Sequence, residues 1–246
     1  MVVFCVSIWN GFCFFDSPEK SKVESGEQGG RLLRDRLGAV AKAVRTELIV
    51  VSPYLIPGPA GMKFFEELRS RGVSVRILTN SLASSDVPLV HSGYQAFRVP
   101  LLEKGVELYE VRPLPGRQSV RSGRFKAPSS SLFALHAKAF VFDRERVFVG
   151  SMNLDSRSLH INTEIGLIIE SAELARQVAL RVADIAQPAN SYVLRLGDAD
   201  AMGRRPLVWR TQENGMAVDF HEEPAVTDWQ RLQVDLLAIL PLDELL

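Results

Sequence analysis

The chain has 246 residues, 46% of them hydrophobic and 24% charged, a composition that suits one large globular domain or two small ones. Lys plus Arg equals Asp plus Glu, so the formal net charge is zero. This removes the simplest argument for a nucleic-acid binder, although a local basic patch stays open. Two cysteines, Cys5 and Cys13, are too few for a disulfide framework and read as buried thiols.

Residues 1–15 are apolar and uncharged. No basic stretch precedes them, as a signal peptide would require, and they are too short for a comfortable membrane span. They suit a buried strand, or a surface that meets another part of a longer chain. Residues 16–30 carry Pro18, Gly26, Gly29 and Gly30 and read as a linker. The expected division is therefore a hydrophobic N-terminal segment with linker over 1–30 and one domain over 31–246.

Leu32, Leu33, Leu37, Val40, Ala41 and Val44 fall at helical spacing, which predicts an amphipathic helix over about 31–45. The apolar run 48–52 predicts a strand covered on both faces. A helix over 60–71, stopped by Gly72, and a strand over 73–79 complete a βαβ unit, so these strands should be parallel. A second crossover follows, with a helix over 91–104 and a strand over 106–111. Ligands collect at the carboxyl ends of such strands, here Pro53-Tyr54, Asn80-Ser81 and Arg112. Residues 113–131 form a surface loop made basic by Arg117, Arg121, Arg124 and Lys126. It is either solvated or a lip that meets anionic substrate or lipid headgroups.

Strands are predicted over 133–142 and 146–149, a hairpin around Asp143-Arg144-Glu145, and another over 163–169. A helix over 172–186 comes next. Short strands over 192–196, 207–210 and 217–220 suggest a small peripheral sheet, and a helix over 225–240 closes the chain.

The chemistry concentrates on that hairpin. His136 and Lys138 are two apart, so on a strand they share a face, with small Ala137 and Ala139 on the other side. An imidazole can attack phosphorus or exchange protons with a leaving group near neutral pH. A neighbouring ammonium neutralises phosphoryl oxygens. Asn153 adds a neutral donor and Ser151 a hydroxyl at the end of the adjacent strand. Asp143 is five residues beyond Lys138, so strand parity turns it away from the substrate face, where it should anchor the turn on an Arg or a backbone N–H. Glu164, at the head of the next strand, is placed to accept from the second imidazole nitrogen and fix its tautomer. One histidine without nearby carboxylate or cysteine ligands is not a zinc pattern, and nothing calls for a metal or other cofactor.

His136-x-Lys138-x-x-x-x-Asp143 with Gly150-Ser151-Met152-Asn153 resembles the HKD signature of the phospholipase D superfamily. The stretches 52–57, 79–87, 91–94, 105–110 and 153–158 are similar to bacterial cardiolipin synthases, especially the C-type. The resemblance implies a phospholipase D-like α/β fold, with a largely parallel or mixed central sheet flanked by helices on both faces. It implies phosphatidyl transfer between phospholipids through a phosphohistidine, and peripheral contact with the cytoplasmic side of a bacterial inner membrane. Catalytic residues would be His136, Lys138, Asp143, Asn153 and Glu164, with Ser151, His91 and Tyr94 in the substrate pocket. Such enzymes use two HKD motifs, and the motif here resembles the C-terminal one, whose histidine is the acid/base. His91, His160 and His221 lack the companion Lys and Asp, so a second HKD half or a homodimer mate is expected to supply the other histidine. The alternatives are a one-motif phosphodiesterase or nuclease dimer, which net neutrality weighs against, and a non-catalytic isolated half-domain.

Overall fold

The computed structural model describes residues 11–16, 32–85, 87–113 and 134–238. The apolar residues 1–10, the linker over 17–30, the basic loop over 114–131 and the chain end beyond 238 lie outside these. Among the described residues, ten strands form one mixed sheet in the order β1-β7-β6-β5-β2-β3-β4-β8-β9-β10. They are β1 Gly11–Asp16, β2 Glu47–Val51, β3 Ser74–Asn80, β4 Glu107–Val111 and β5 Ala139–Phe142. The remainder are β6 Arg146–Gly150, β7 Glu164–Glu170, β8 Ser191–Leu196, β9 Leu207–Glu213 and β10 Met216–Phe220. The helices are α1 Leu32–Lys42, α2 Gly58–Ser70, α3 Pro88–Glu103, α4 Ser156–His160, α5 Ala172–Ile185 and α6 Asp228–Ala238.

The parallel pairs expected from the crossovers are present: β2 with β3, and β3 with β4. The other pairings are antiparallel. The last three strands do not form a separate small sheet. β8 pairs with β4 and carries β9 and β10 onto the same sheet, because Tyr192 and Leu194 bury against the core that β4 already lines. At the opposite edge β1 pairs with β7.

Helices cover both faces. On one, Leu33 and Leu37 of α1, Phe65 and Leu68 of α2, and Leu101 of α3 pack over Leu48, Val50, Ile77, Phe140 and Phe148. On the other, Ala175, Ala179 and Val182 of α5 pack over Ile49, Val51, Leu78 and Val141. Alternate residues of β2 thus feed opposite cores, the result expected of a continuous apolar strand. The small side chains of α5 let the helix sit close to the sheet.

Two polar clusters fix the ends of this framework. Asp143 and Arg144 turn the β5–β6 hairpin in left-handed conformations, φ 52° and 55°, which Asp tolerates better than most residues. The Asp143 carboxylate accepts from the backbone N–H groups of Arg45, Thr46 (2.7 Å) and Glu47 (3.0 Å) and from the Thr46 hydroxyl (2.8 Å). Partial burial acts to raise its pKa, but these donors outweigh it and hold the carboxyl below its usual range.

The second cluster is buried between α3, β4, β9 and the segment before α6. The Arg98 guanidinium donates to Glu110 Oε1 (2.8 Å) and to both oxygens of Glu223 (2.8 Å each). Trp209 Nε1 donates to Glu110 Oε2 (2.9 Å), and His91 Nε2 lies 3.1 Å from Glu223. Burial pushes the Glu110 carboxyl up to about 7. Glu223 is held well below the carboxylate range by Arg98 and His91 despite its burial, while burial and Arg98 together lower His91.

Removing one partner from a buried ionic cluster strands the others, so Glu223→Ala should cost about 3–5 kcal/mol in denaturant unfolding. Asp143→Ala should cost about 2 kcal/mol, the worth of charge-assisted hydrogen bonds at a half-exposed turn. The Asp143 contribution is complete at neutral pH, because its folded pKa is depressed. The gap between wild type and Asp143→Ala should therefore close as pH falls below about 4.

Candidate active site

The topology brings one end of several strands together. β5 runs antiparallel to β2, pairing Ala139 with Val51, so the start of β5 meets the carboxyl end of β2. The end of β6 lies beside the start of β5, pairing Val149 with Ala139. The start of β7 lies beside the end of β6, pairing Gly166 with Gly150. His136, Lys138, Ser151, Asn153 and Glu164 therefore share one end of the sheet with Ser52 and Asn80.

His136 and Lys138 precede β5 rather than lying within it. The side chain of Asn80, 2% exposed at the end of β3, holds their backbone. Its amide nitrogen donates to the Leu135 carbonyl (3.0 Å), and the Leu135 N–H donates to its oxygen (2.9 Å). Beyond that anchor His136 is exposed. Lys138 is 9% exposed, and its ammonium donates to the His136 carbonyl at 2.9 Å. The Gly150 N–H donates to the Lys138 carbonyl (3.2 Å), which extends the β5–β6 ladder into the site. Ala137 is exposed, so the packing expected behind the site falls to Ala139 alone, which joins the α5 side of the core.

Gly150 is required by close approach. A Cβ there would lie 2.4 Å from the Ile165 carbonyl oxygen and 2.7 Å from the Phe148 ring. The strand then breaks into the Ser151–Leu154 segment, which β2 secures. Ser52, fully buried, accepts from the Leu154 N–H (3.1 Å) and donates to the Tyr54 carbonyl (2.6 Å). The Ile56 N–H donates to the Leu154 carbonyl (2.7 Å). Held on both sides, Asn153 presents a buried side-chain oxygen with no hydrogen-bond partner. A half-turn of the amide exchanges that acceptor for an N–H donor, the group a phosphoryl oxygen needs.

Glu164 is 5% exposed and is occupied differently from expectation. The Ser151 hydroxyl donates to Glu164 Oε2 and Asn162 Nδ2 to Oε1 (3.4 Å). Among the described residues, Glu164 makes no hydrogen bond with His136. Ser151 also accepts from the Ile165 N–H at 3.0 Å. The Ser151–Glu164 pair therefore ties the end of β6 to the start of β7. Asp155 caps α4 through the Ser158 N–H (2.8 Å), and burial raises its carboxyl, with nearby Glu164 adding to the effect.

Asp143 stands apart. It lies at the other end of β5, five residues from Lys138, which is roughly 16 Å along an extended strand, and it anchors the turn on backbone N–H groups. His91 and Tyr94 are buried, at 3% and 2% exposure. His91 is committed to the Arg98–Glu223 cluster, and the Arg98 guanidinium covers the Tyr94 ring at 4.8 Å. Helix spacing turned both inward, where a buried charge needed partners. The sequence named Asn80 only as part of a sheet edge and passed over the side chain of Ser52. The available signal was a small polar residue closing an otherwise apolar strand.

This architecture is that of a phospholipase D-like domain. It is similar in fold to phosphatidylserine synthase from Haemophilus influenzae, with TM-score 0.55 and 17% identity over 75% of this chain and 40% of that one. It is also similar to NucT from Helicobacter pylori, with TM-score 0.50 and 15% identity over 71% and 93% of the two chains. Residues 39–184 match the family described as cardiolipin synthase, PLD-like domain, and the chain belongs to that family. It is 36% identical to cardiolipin synthase C of Escherichia coli K12 over 94% of this chain and 47% of that protein. An uncharacterized protein of Helicobacter pylori J99 is 32% identical over 83% of this chain and 38% of its own length. The chain thus spans about half the length, or less, of these curated relatives.

The Asn80–Leu135 pair predicts a local effect. Asn80→Ala removes both the donor to the Leu135 carbonyl and the acceptor of the Leu135 N–H, a loss of about 1–3 kcal/mol. Hydrogen exchange at the Leu135 amide should quicken roughly tenfold, while amides within β2 and β3 keep their protection. Unchanged exchange at Leu135 would contradict the anchoring role.

Proposed function

We propose that the chain is the acid/base half of a phosphatidyltransferase of the cardiolipin synthase type. The observation that carries this is the 36% identity to cardiolipin synthase C across nearly the whole chain, with His136, Lys138 and Asn153 at one end of the sheet. In the reaction, a histidine nitrogen bonds to phosphorus as the ester bond to the leaving alcohol breaks. His136 gives that alcohol its proton, then takes the proton of the incoming alcohol as the new ester forms and the phosphorus–nitrogen bond breaks. Lys138 and Asn153 neutralise the charge that grows on the non-bridging oxygens. Ser151 and Glu164 hold β6 and β7 in register. No cofactor enters the scheme.

The nucleophilic histidine comes from a second HKD half. Either a longer protein supplies it, as the half-length match to the relatives suggests, or a second copy of this chain does. The substrate is a phospholipid such as phosphatidylglycerol, met from the cytoplasmic side of a bacterial inner membrane. The membrane contact proposed is peripheral; among the described residues, no helix is long and apolar enough to cross a membrane.

The test is turnover of phosphatidylglycerol vesicles, with native mass measured on the same sample. Transfer to form cardiolipin, reduced about 10²–10⁴-fold by His136→Ala, is the expected outcome, with the active species holding two HKD halves. A monomer of this chain alone that turns over lipid would contradict the two-histidine scheme. His136-dependent cleavage of DNA without action on phosphatidylglycerol would replace the lipid reading with a phosphodiesterase one.

A further inference from the structure

Between α1 and α2 lies a cavity of about 300 Å³ with an almost wholly apolar lining. That is the lower end of the ~300–1,000 Å³ range typical of small-molecule sites. It arises from how the helices are spread. α1 packs on β1 and β7 and α2 on β3, and β5 and β2 lie between these in the sheet order. Phe140 and Phe142 of β5 form part of the floor. Small residues keep the walls apart, Gly38 and Ala41 on α1 and Ala60 and Gly61 on α2. A Cβ added at Gly38 would meet nothing within 4 Å, so that wall is open space rather than tight packing.

Two features indicate what this groove receives. Met152 and Leu154 line one end of it, and they flank Asn153, the residue whose buried side-chain oxygen has no partner. The groove therefore begins where the phosphate site ends. Arg34, near the start of α1 and bonded to the Leu159 carbonyl, adds a guanidinium to the lining, which suits an occupant that is apolar in its body and anionic at its head. The cavity between α2 and α3 differs, being lined by charged side chains such as Glu66, Arg69 and Lys104.

We infer that the α1–α2 groove seats an acyl chain of the phospholipid whose phosphodiester lies at His136. This rests on the proposed function and adds to it the place of the lipid tail. The tail runs from Met152 and Leu154 along the Phe140–Phe142 floor, and its burial there orients the head on Asn153 and Lys138. A chain of this kind gains affinity with each methylene that leaves water, roughly fourfold per methylene, until the groove is full.

The experiment uses the intact chain and linear alkyl phosphates from butyl to decyl, kept below their micelle concentrations. Calorimetry follows affinity, and methyl resonances of Met152 and exposed Met202 follow position. The expected result is affinity rising about fourfold per methylene to a plateau, with a shift at Met152 and none at Met202. Gly38→Phe and Ala41→Leu, which fill the groove from the α1 wall, should each abolish the length dependence, while Gly38→Ala keeps it. Affinity independent of chain length, an unmoved Met152 methyl, or length dependence that survives both filling variants would overturn the inference. So would self-association through this face, seen as a sedimentation change in Gly38→Phe with no alkyl phosphate bound. Lys138→Ala in the same titration separates the two readings. Length dependence indifferent to Lys138→Ala leaves the groove standing and removes the phosphate assignment. Lys138 dependence without length dependence does the reverse.

Discussion

The side-chain amide of Asn80 closes two hydrogen bonds on the backbone of Leu135, and the site depends on that closure. His136 does not sit in a strand. It follows Leu135, whose backbone is tied to the end of a parallel strand by one buried amide. Asn80 is itself supported, since the Ser84 hydroxyl donates to its oxygen (3.4 Å) and both Ser81 and Ser84 bond the Val111 carbonyl. The ends of β3 and β4 are thus linked to the start of β5. His136 thus stands exposed just beyond a hydrogen-bonded base.

The two ends of the sheet divide the work of the signature. At one end lie His136, Lys138 and Asn153, brought there by the pairing of β5, β6 and β7. At the other Asp143 satisfies three backbone N–H groups and a hydroxyl, fixing the hairpin that delivers β5 and β6 in register. A one-residue slip of that hairpin would reverse every side chain of β5, moving Phe140 and Phe142 out of their core. Asp143 therefore serves the site through register. The buried Arg98–Glu110–Glu223 cluster plays a comparable part elsewhere, fastening the segment before α6 to α3 and β4. It absorbs His91 and Tyr94, which helix periodicity alone could not distinguish from pocket residues.

Much of the fold was legible in the sequence because its core strands are short apolar runs separated by Gly-stopped helices. β2, β3 and β4 emerged as a parallel set from spacing alone, and parity removed Asp143 from the substrate face. The less legible parts depend on long-range contacts. Nothing local says that β8 to β10 extend the main sheet, since that follows from Tyr192 and Leu194 burying beside β4. Nothing local says that Ser151 takes Glu164 in place of the imidazole, because the pairing crosses from β6 to β7. The apolar groove was illegible for the same reason: Gly38 on α1 and Ala60 and Gly61 on α2 read as ordinary helix residues until the helices are seen to stand apart.

We propose this end of the sheet as a single phosphate-binding site built on an exposed histidine. A crystal structure of the chain soaked with vanadate, a mimic of phosphorus in transfer, tests it most directly. Vanadate is expected within hydrogen-bonding or covalent reach of the His136 imidazole, with its oxygens on the Lys138 ammonium and the Asn153 amide. Vanadate seated elsewhere, with His136, Lys138 and Asn153 untouched, would contradict it.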